Sequence, residues 1–312
     1  MSRIKSVPAP SLVDWPRDEA AHDGLPWEIW WITTDVRSGD RRLAAHLMLT
    51  HLEGGHVGVT ASITDLDTET ELSRRLAVES GQATLARDHL SVSTEVGGFE
   101  GSFQGGYRLH GQLDDDAGFD LMLKPTRPVL HNVGAGRFTL GKLTTTQYSI
   151  GGLETSGTLR LGGHDMTVIG HAWYDRQWIQ SGRLADGGGV FTWFGICLDN
   201  GDTISLWDTS MRAQGGHTWA TIVRPDGTHI VTAAEPAARG ARDTYETGLG
   251  RELPRRWKLV IPGTQAELDV SQRLVQDAPG PFFYTGALDV AGSYQNAPAR
   301  GSGFCDLVGW KT

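Results

Sequence analysis

Short runs in which bulky apolar residues alternate with polar ones recur along almost the whole chain. They are broken every few positions by Gly, Asp, Asn or Pro. A hydrophobic period of two marks strands with one face buried. Trp27 to Thr34 opens the first such run, Arg37-Ser38-Gly39-Asp40 reads as a turn, and Leu43 to His51 reads as the return strand. Further runs follow at Ala83–Arg87, Leu90–Glu95, Phe99–Gln104, Tyr107–Gln112 and Phe119–Pro125, then Thr146–Ile150 and Gly157–Leu161. Beyond residue 190 the same grammar resumes, with Val190–Leu198 and Thr203–Met211 joined through Asp199-Asn200-Gly201-Asp202. His217–Arg224, Thr228–Thr232, Arg256–Ile261, Ala266–Val270, Phe282–Val290 and Gly303–Trp310 complete the set. Only Thr68–Ser80, with Leu72 and Leu76 four apart, suggests a helix. Pro125 to His131 reads as a proline-braced crossover, since each proline disfavours helix in the residue before it.

One stretch is far denser in chemistry than the rest: Gly170-His171-Ala172-Trp173-Tyr174-Asp175-Arg176-Gln177-Trp178, fed by the β run Met166–Ile169. Continued as a strand, it places His171, Trp173 and Asp175 on one face and Ala172, Tyr174 and Arg176 on the other. An aromatic wall beside an imidazole and a carboxylate suits a cavity that handles a mostly apolar ligand. Arg176 reads as a buried tether. After it, residues 179–189 are polar and glycine-rich, which predicts two domains, 1–183 and 184–312.

Composition narrows the function. A formal charge of -9 argues against non-specific nucleic-acid binding. The chain starts without an apolar leader and has no apolar run long enough to span a membrane, which predicts a cytoplasmic protein. Cys197 and Cys305, far apart in sequence, read as reduced buried residues. His46, His51 and His56 recur every five positions, but strand parity opposes His51 to His46, so no metal site is expected. There is no phosphate loop, dinucleotide fingerprint, HExxH, GxSxG or CxxC pair, so no cofactor is expected either.

Five ordered motifs resemble one family, the lipocalin-like carotenoid hydratases (hydroxyneurosporene synthases) and their relatives. They are Trp27-Glu28-Ile29-Trp30-Trp31, Lys124 to His131, Gly170 to Ile179, Trp193-Phe194 to Gly201, and Gly303 to Trp310. Gln177, Ile179 and Trp310 depart from the family's Glu, Gly and Tyr. The resemblance implies an all-β protein of two tandem lipocalin-like antiparallel β-barrel domains, with the pocket in or between them. It implies His171 and Trp173 as catalytic, with an acid on a following strand at Asp208, to which the hallmark strand's own Asp175 is added. Glu28, Trp30, Tyr174, Trp178, Trp193, Trp207 and Tyr284 are the expected substrate contacts.

The family's reactions include hydration of olefins and [4+2] cyclisation of polyketides. A hydratase needs an acid kept neutral at working pH. A cyclase needs only a shaped hollow and a hydrogen-bond donor or two. With the motif glutamate replaced by Gln177, the expected activity is a cofactor-independent cyclisation or isomerisation of a hydrophobic polyene or polyketide. Hydration of an alkene is the runner-up, followed by carriage of a hydrophobic metabolite without turnover.

Overall fold

The computed structural model describes residues 12–68, 70–181, 190–211, 216–246, 252–272 and 283–308. Their strands form two antiparallel sheets. The first contains β1 (Trp27–Ser38), β2 (Arg41–Leu52), β3 (His56–Asp65), β4 (Thr70–Glu79), β5 (Thr84–Leu85), β6 (Leu90–Ser93) and β7 (Gly97–Ser102). It continues with β8 (Gly106–Gln112), β9 (Gly118–Lys124), β10 (Leu130–His131), β11 (Arg137–Leu140), β12 (Leu143–Leu161) and β13 (His164–Ser181). The second contains β14 (Phe191–Leu198), β15 (Thr203–Asp208), β16 (Thr218–Val223), β17 (His229–Ala233) and β18 (Ala241–Glu246). It ends with β19 (Glu252–Ile261), β20 (Ala266–Gln272), β21 (Phe283–Tyr294) and β22 (Ala297–Val308).

The strand orders are β4-β3-β2-β1-β13-β12-β9-β8-β7-β6-β5 and β17-β16-β15-β14-β22-β21-β20-β19-β18, with β10 and β11 paired to β12. In each sheet the last long strand returns beside the first. Each sheet then curls around its own apolar core, so that β7 and β8 of the first come round to face β2 and β3. The all-β, two-barrel architecture expected from the motifs is therefore present. The boundary expected at 183/184 lies outside the described residues, as does Trp310.

The expected helix at Thr68–Ser80 is a correction: residues 70–79 are strand β4, and only Ser80–Gln82 turns helically. A spacing of four satisfies both the helical and the strand period. Pairing with β3, Leu72 to Ile63 and Leu76 to Val59, gives those leucines a sheet to join.

β12 and β13 are 19 and 18 residues long. The first half of β12 and the second half of β13 are buried on both faces, because one face looks into the first barrel and the other meets the second sheet. A third apolar cluster lies at that junction and includes Ile29, Trp31, Phe138, Trp173, Trp193, Trp207 and Trp219. The proline-braced segment before β11 straps the two barrels together. Arg127 donates to the carbonyls of Leu198 and Asp202, each at 3.0 Å, and the Val133 N–H donates to Thr221 Oγ1 at 2.9 Å.

Candidate active site

Alternation along β13 divides the hallmark residues between two different environments. On the inner face, Arg176 is fully buried and its guanidinium lies 3.9 Å from the centre of the Trp30 ring. It donates to Glu28 Oε2 at 2.5 Å and to the Ala20 and Asp18 carbonyls at 2.8 and 3.2 Å. Glu28 also binds His22 Nδ1 and His51 Nδ1, both at 2.9 Å, and His22 Nε2 reaches Asp18 at 3.1 Å. Burial by itself would raise the Glu28 carboxyl. The Arg176 charge and the histidine hydrogen bonds overcome this and hold it well below the ordinary range. Burial would likewise lower His22, but its bonds to Asp18 and Glu28 carry it above 6.5. Tyr174 packs beside Phe99, Tyr107 and Tyr148, while Trp178 lies against His22. Glu28, Trp30, Tyr174 and Trp178 thus share a filled, hydrogen-bonded barrel interior closed by the segment around Trp15 to His22.

The outer face is different. Trp31, Asp175 and Ser149 are direct cross-strand partners on β1, β13 and β12. Asp175 is buried and accepts hydrogen bonds from Ser149 Oγ at 2.5 Å and from Trp173 Nε1 at 2.9 Å. Burial pushes its carboxyl up to about 7, against the opposing pull of Ser149, Trp173 and Gln147. Trp173 is wedged between the barrels. A Cβ on Gly151 of β12 would come within 2.7 Å of its ring, and one on Gly195 of β14 within 2.8 Å. Two side-chain-free positions therefore let the indole sit flush and aim its N–H at Asp175.

The second barrel supplies the opposite wall. Trp193, Trp207 and Trp219 are cross-strand partners on β14, β15 and β16 and so form one row of indoles. Trp207 and Trp219 stack at 6.0 Å, and Trp193 meets Trp31 and Trp173 edge-on at 5.7 and 5.4 Å. A polar chain crosses the junction: Trp193 Nε1 donates to Ser205 Oγ, Ser205 to Asn132 Oδ1, and Asn132 Nδ2 to Gln147 Oε1. Beside Trp31 stands His46 of β2, its ring 5.5 Å away, where burial lowers the imidazole to about 4.

The structure separates several residues expected together. His171 keeps the strand parity of Trp173 and Asp175 but lies where β13 runs beyond the covered junction. It is exposed, in a cleft of about 1140 Å³ with Asp35 and Glu154 as its cross-strand neighbours. Asp208 is buried, and it caps backbone and side-chain donors: Ser210 N, Thr218 Oγ1 and Ala238 N at 2.8–3.1 Å. Next to Trp207 in the strand, it takes the opposite face. The side chain of Tyr284 lies outside the described residues. Trp31, His46, Ser149 and Trp219 were not singled out as site residues from sequence. A tryptophan row becomes visible only once strand register is known. Both cysteines are free and buried. Among the described residues, no group of three or more His, Cys, Asp or Glu side chains could hold a metal, and no helix is long and apolar enough to cross a membrane.

A family model described as AttH-like matches residues 6–310. The chain belongs to the AttH-like family. The dehydratase asqC of Emericella nidulans is 24% identical over 325 residues, covering 97% of this chain and 90% of that protein. The kievitone hydratase of Fusarium solani subsp. phaseoli is 28% identical over 207 residues, 62% of this chain and 58% of that protein. A crystal structure of an AttH protein from Nitrosomonas europaea superposes with a TM-score of 0.82 at 18% identity, covering 98% and 99% of the two chains. That of kievitone hydratase from Nectria haematococca gives 0.75 at 23% identity, covering 90% and 88%. The family and fold drawn from the five motifs agree with these likenesses.

Proposed function

We propose that this AttH-like protein is a lyase that adds water to, or removes it from, a carbon–carbon double bond of a hydrophobic small molecule held at the barrel junction. The observation that carries this reading is Asp175, a carboxyl raised to about 7, oriented by Ser149 and Trp173 and paired across the sheet with Trp31, with the Trp193 indole edge-on to both tryptophans. In hydration, the neutral carboxyl gives its proton to one alkene carbon and the neighbouring carbon becomes cationic. Water attacks that carbon, and the proton it sheds returns to the Asp175 carboxylate. Dehydration is the same path reversed. Indole faces stabilise a passing cation by roughly 0.5–2 kcal/mol each. The two named relatives, a dehydratase and a hydratase, support this class of reaction.

Cyclisation, placed first on motif grounds, is the second reading. The tryptophan row on β14–β16 would hold a folded chain equally well, and a protonated Asp175 could donate to a substrate carbonyl, but the two named relatives are a dehydratase and a hydratase. The test is to incubate purified protein in ¹⁸O-labelled water with kievitone and with a panel of alkenes and tertiary alcohols of similar size. A product gaining or losing one water, and a fall of about a hundredfold or more in Asp175→Asn, is expected. Isomeric products only, or full activity in Asp175→Asn, would overturn the lyase assignment.

A further inference from the structure

Seven buried side-chain polar atoms have no partner among the described residues, and four of them gather at the junction: Trp31 Nε1, Trp207 Nε1, Trp219 Nε1 and His46 Nδ1. The neighbouring indoles are not in this condition, since Trp193 is satisfied by Ser205 and Trp173 by Asp175. Native interiors rarely leave such groups unpaired, and a cluster of them marks where another molecule's polar atoms belong. The four divide into two poles. Trp207 and Trp219, stacked at 6.0 Å, offer donors only. Trp31 and His46, ring centres 5.5 Å apart, offer an indole N–H beside an imidazole nitrogen. Burial keeps this imidazole neutral against the pull of a hydrogen bond to the Ile32 backbone, and the nitrogen left free can accept a hydrogen bond there.

His46 and Asp175 also bracket Trp31. His46 pairs with Thr33 and Asp175 with Trp31, so the two lie two strands and two residues apart on one face. At sheet spacings their Cα atoms are about 12 Å apart. That span matches the long axis of a two- or three-ring molecule.

We infer that the junction takes an oxygenated aromatic molecule, whose hydroxyl sits between His46 Nδ1 and the Trp31 N–H and whose acceptor oxygens meet Trp207 and Trp219. A bare hydrocarbon polyene would leave all four groups unpaired. The inference rests on the junction being the ligand site, as proposed above, but not on the reaction carried out there.

The test is calorimetric titration of the full chain with three flat probes of similar size: naphthalene, which has no polar atom; 2-methoxynaphthalene, which only accepts; and 2-naphthol, which donates and accepts. The expected order of affinity is 2-naphthol, then the ether, then naphthalene, with about five- to tenfold between the first and last. Trp31→Phe and His46→Leu should each shrink that gap, and circular dichroism verifies their folding. Should either variant fail to fold, the wild-type series decides alone. Equal affinities for the three probes, no 2-naphthol binding, or a gap unchanged in two folded variants overturns the inference. A hydroxyl preference alongside a fully active Asp175→Asn would leave it standing while removing the lyase reading. Lyase turnover without the preference would do the reverse.

Discussion

Replacing Arg176 by Met removes the permanently charged partner of Glu28 at the centre of the first barrel. Met fills similar volume, so the loss is mainly electrostatic. Glu28, fully buried, would keep His22 and His51 but lose its 2.5 Å partner, and the Ala20 and Asp18 carbonyls would lose theirs. Stranding one member of a buried ion pair costs about 3–5 kcal/mol, a large part of the roughly 5–15 kcal/mol that holds a typical domain together. Arg176→Met combined with Glu28→Gln should recover much of this, because no uncompensated charge is then left inside. The assay is urea unfolding followed by tryptophan emission, analysed as a double-mutant cycle on the transition assigned to the first barrel. An Arg176→Met cost near the 0.5 kcal/mol of an ordinary surface change, or strictly additive effects of the two substitutions, would refute the reasoning.

Other consequences concern pH and packing. Glu28 is held below its ordinary 4.5 and His22 above 6.5, so the acid's share of stability is lost as pH falls below that range. The histidine's share, present below 6.5, is lost as pH rises through its folded value, so this cluster stabilises most between 4.5 and 6.5, which urea midpoints against pH will show. Asp175 behaves oppositely to Glu28: the folded state keeps its proton up to about 7 while the unfolded chain releases it near 3.8. Its contribution therefore declines across that interval by about 4 kcal/mol, and Asp175→Asn should be the more stable protein at pH 8 while losing turnover. A wild type that matches Asp175→Asn in stability at pH 8 contradicts that. Gly195→Ala should cost about 1–3 kcal/mol through overlap with Trp173 and Trp193 and should lower turnover by tilting the Trp173 N–H off Asp175; melting and rate measurements on the variant check both.

The sequence made the architecture readable because alternating runs and turn residues report strands directly, and five motifs fixed the family. The faces of the hallmark strand were also readable: Trp173 and Asp175 do part from Tyr174 and Arg176. What parity could not supply was which face meets what. Glu28, Trp30, Tyr174 and Trp178 carry the same polar-aromatic signature as a binding wall, yet they fill a barrel, because the preceding segment folds in to close it. His171 has the right parity but lies past the end of the second barrel's cover, a matter of strand length and docking. Trp219 and His46 entered through register alone. Leu72 and Leu76 misled because four residues is a repeat of both helix and strand.

The account stands on a carboxyl at the barrel junction that still holds its proton in about half of the molecules at pH 7. Carbon-13 labelling of aspartate side chains, with the Asp175 signal identified by its loss in Asp175→Asn, lets that proton be followed directly by NMR across pH 3 to 9. A midpoint close to 7 is predicted. A midpoint near 4 would mean the carboxylate is ionised where the chemistry needs an acid, and the proposed role of Asp175 would be lost.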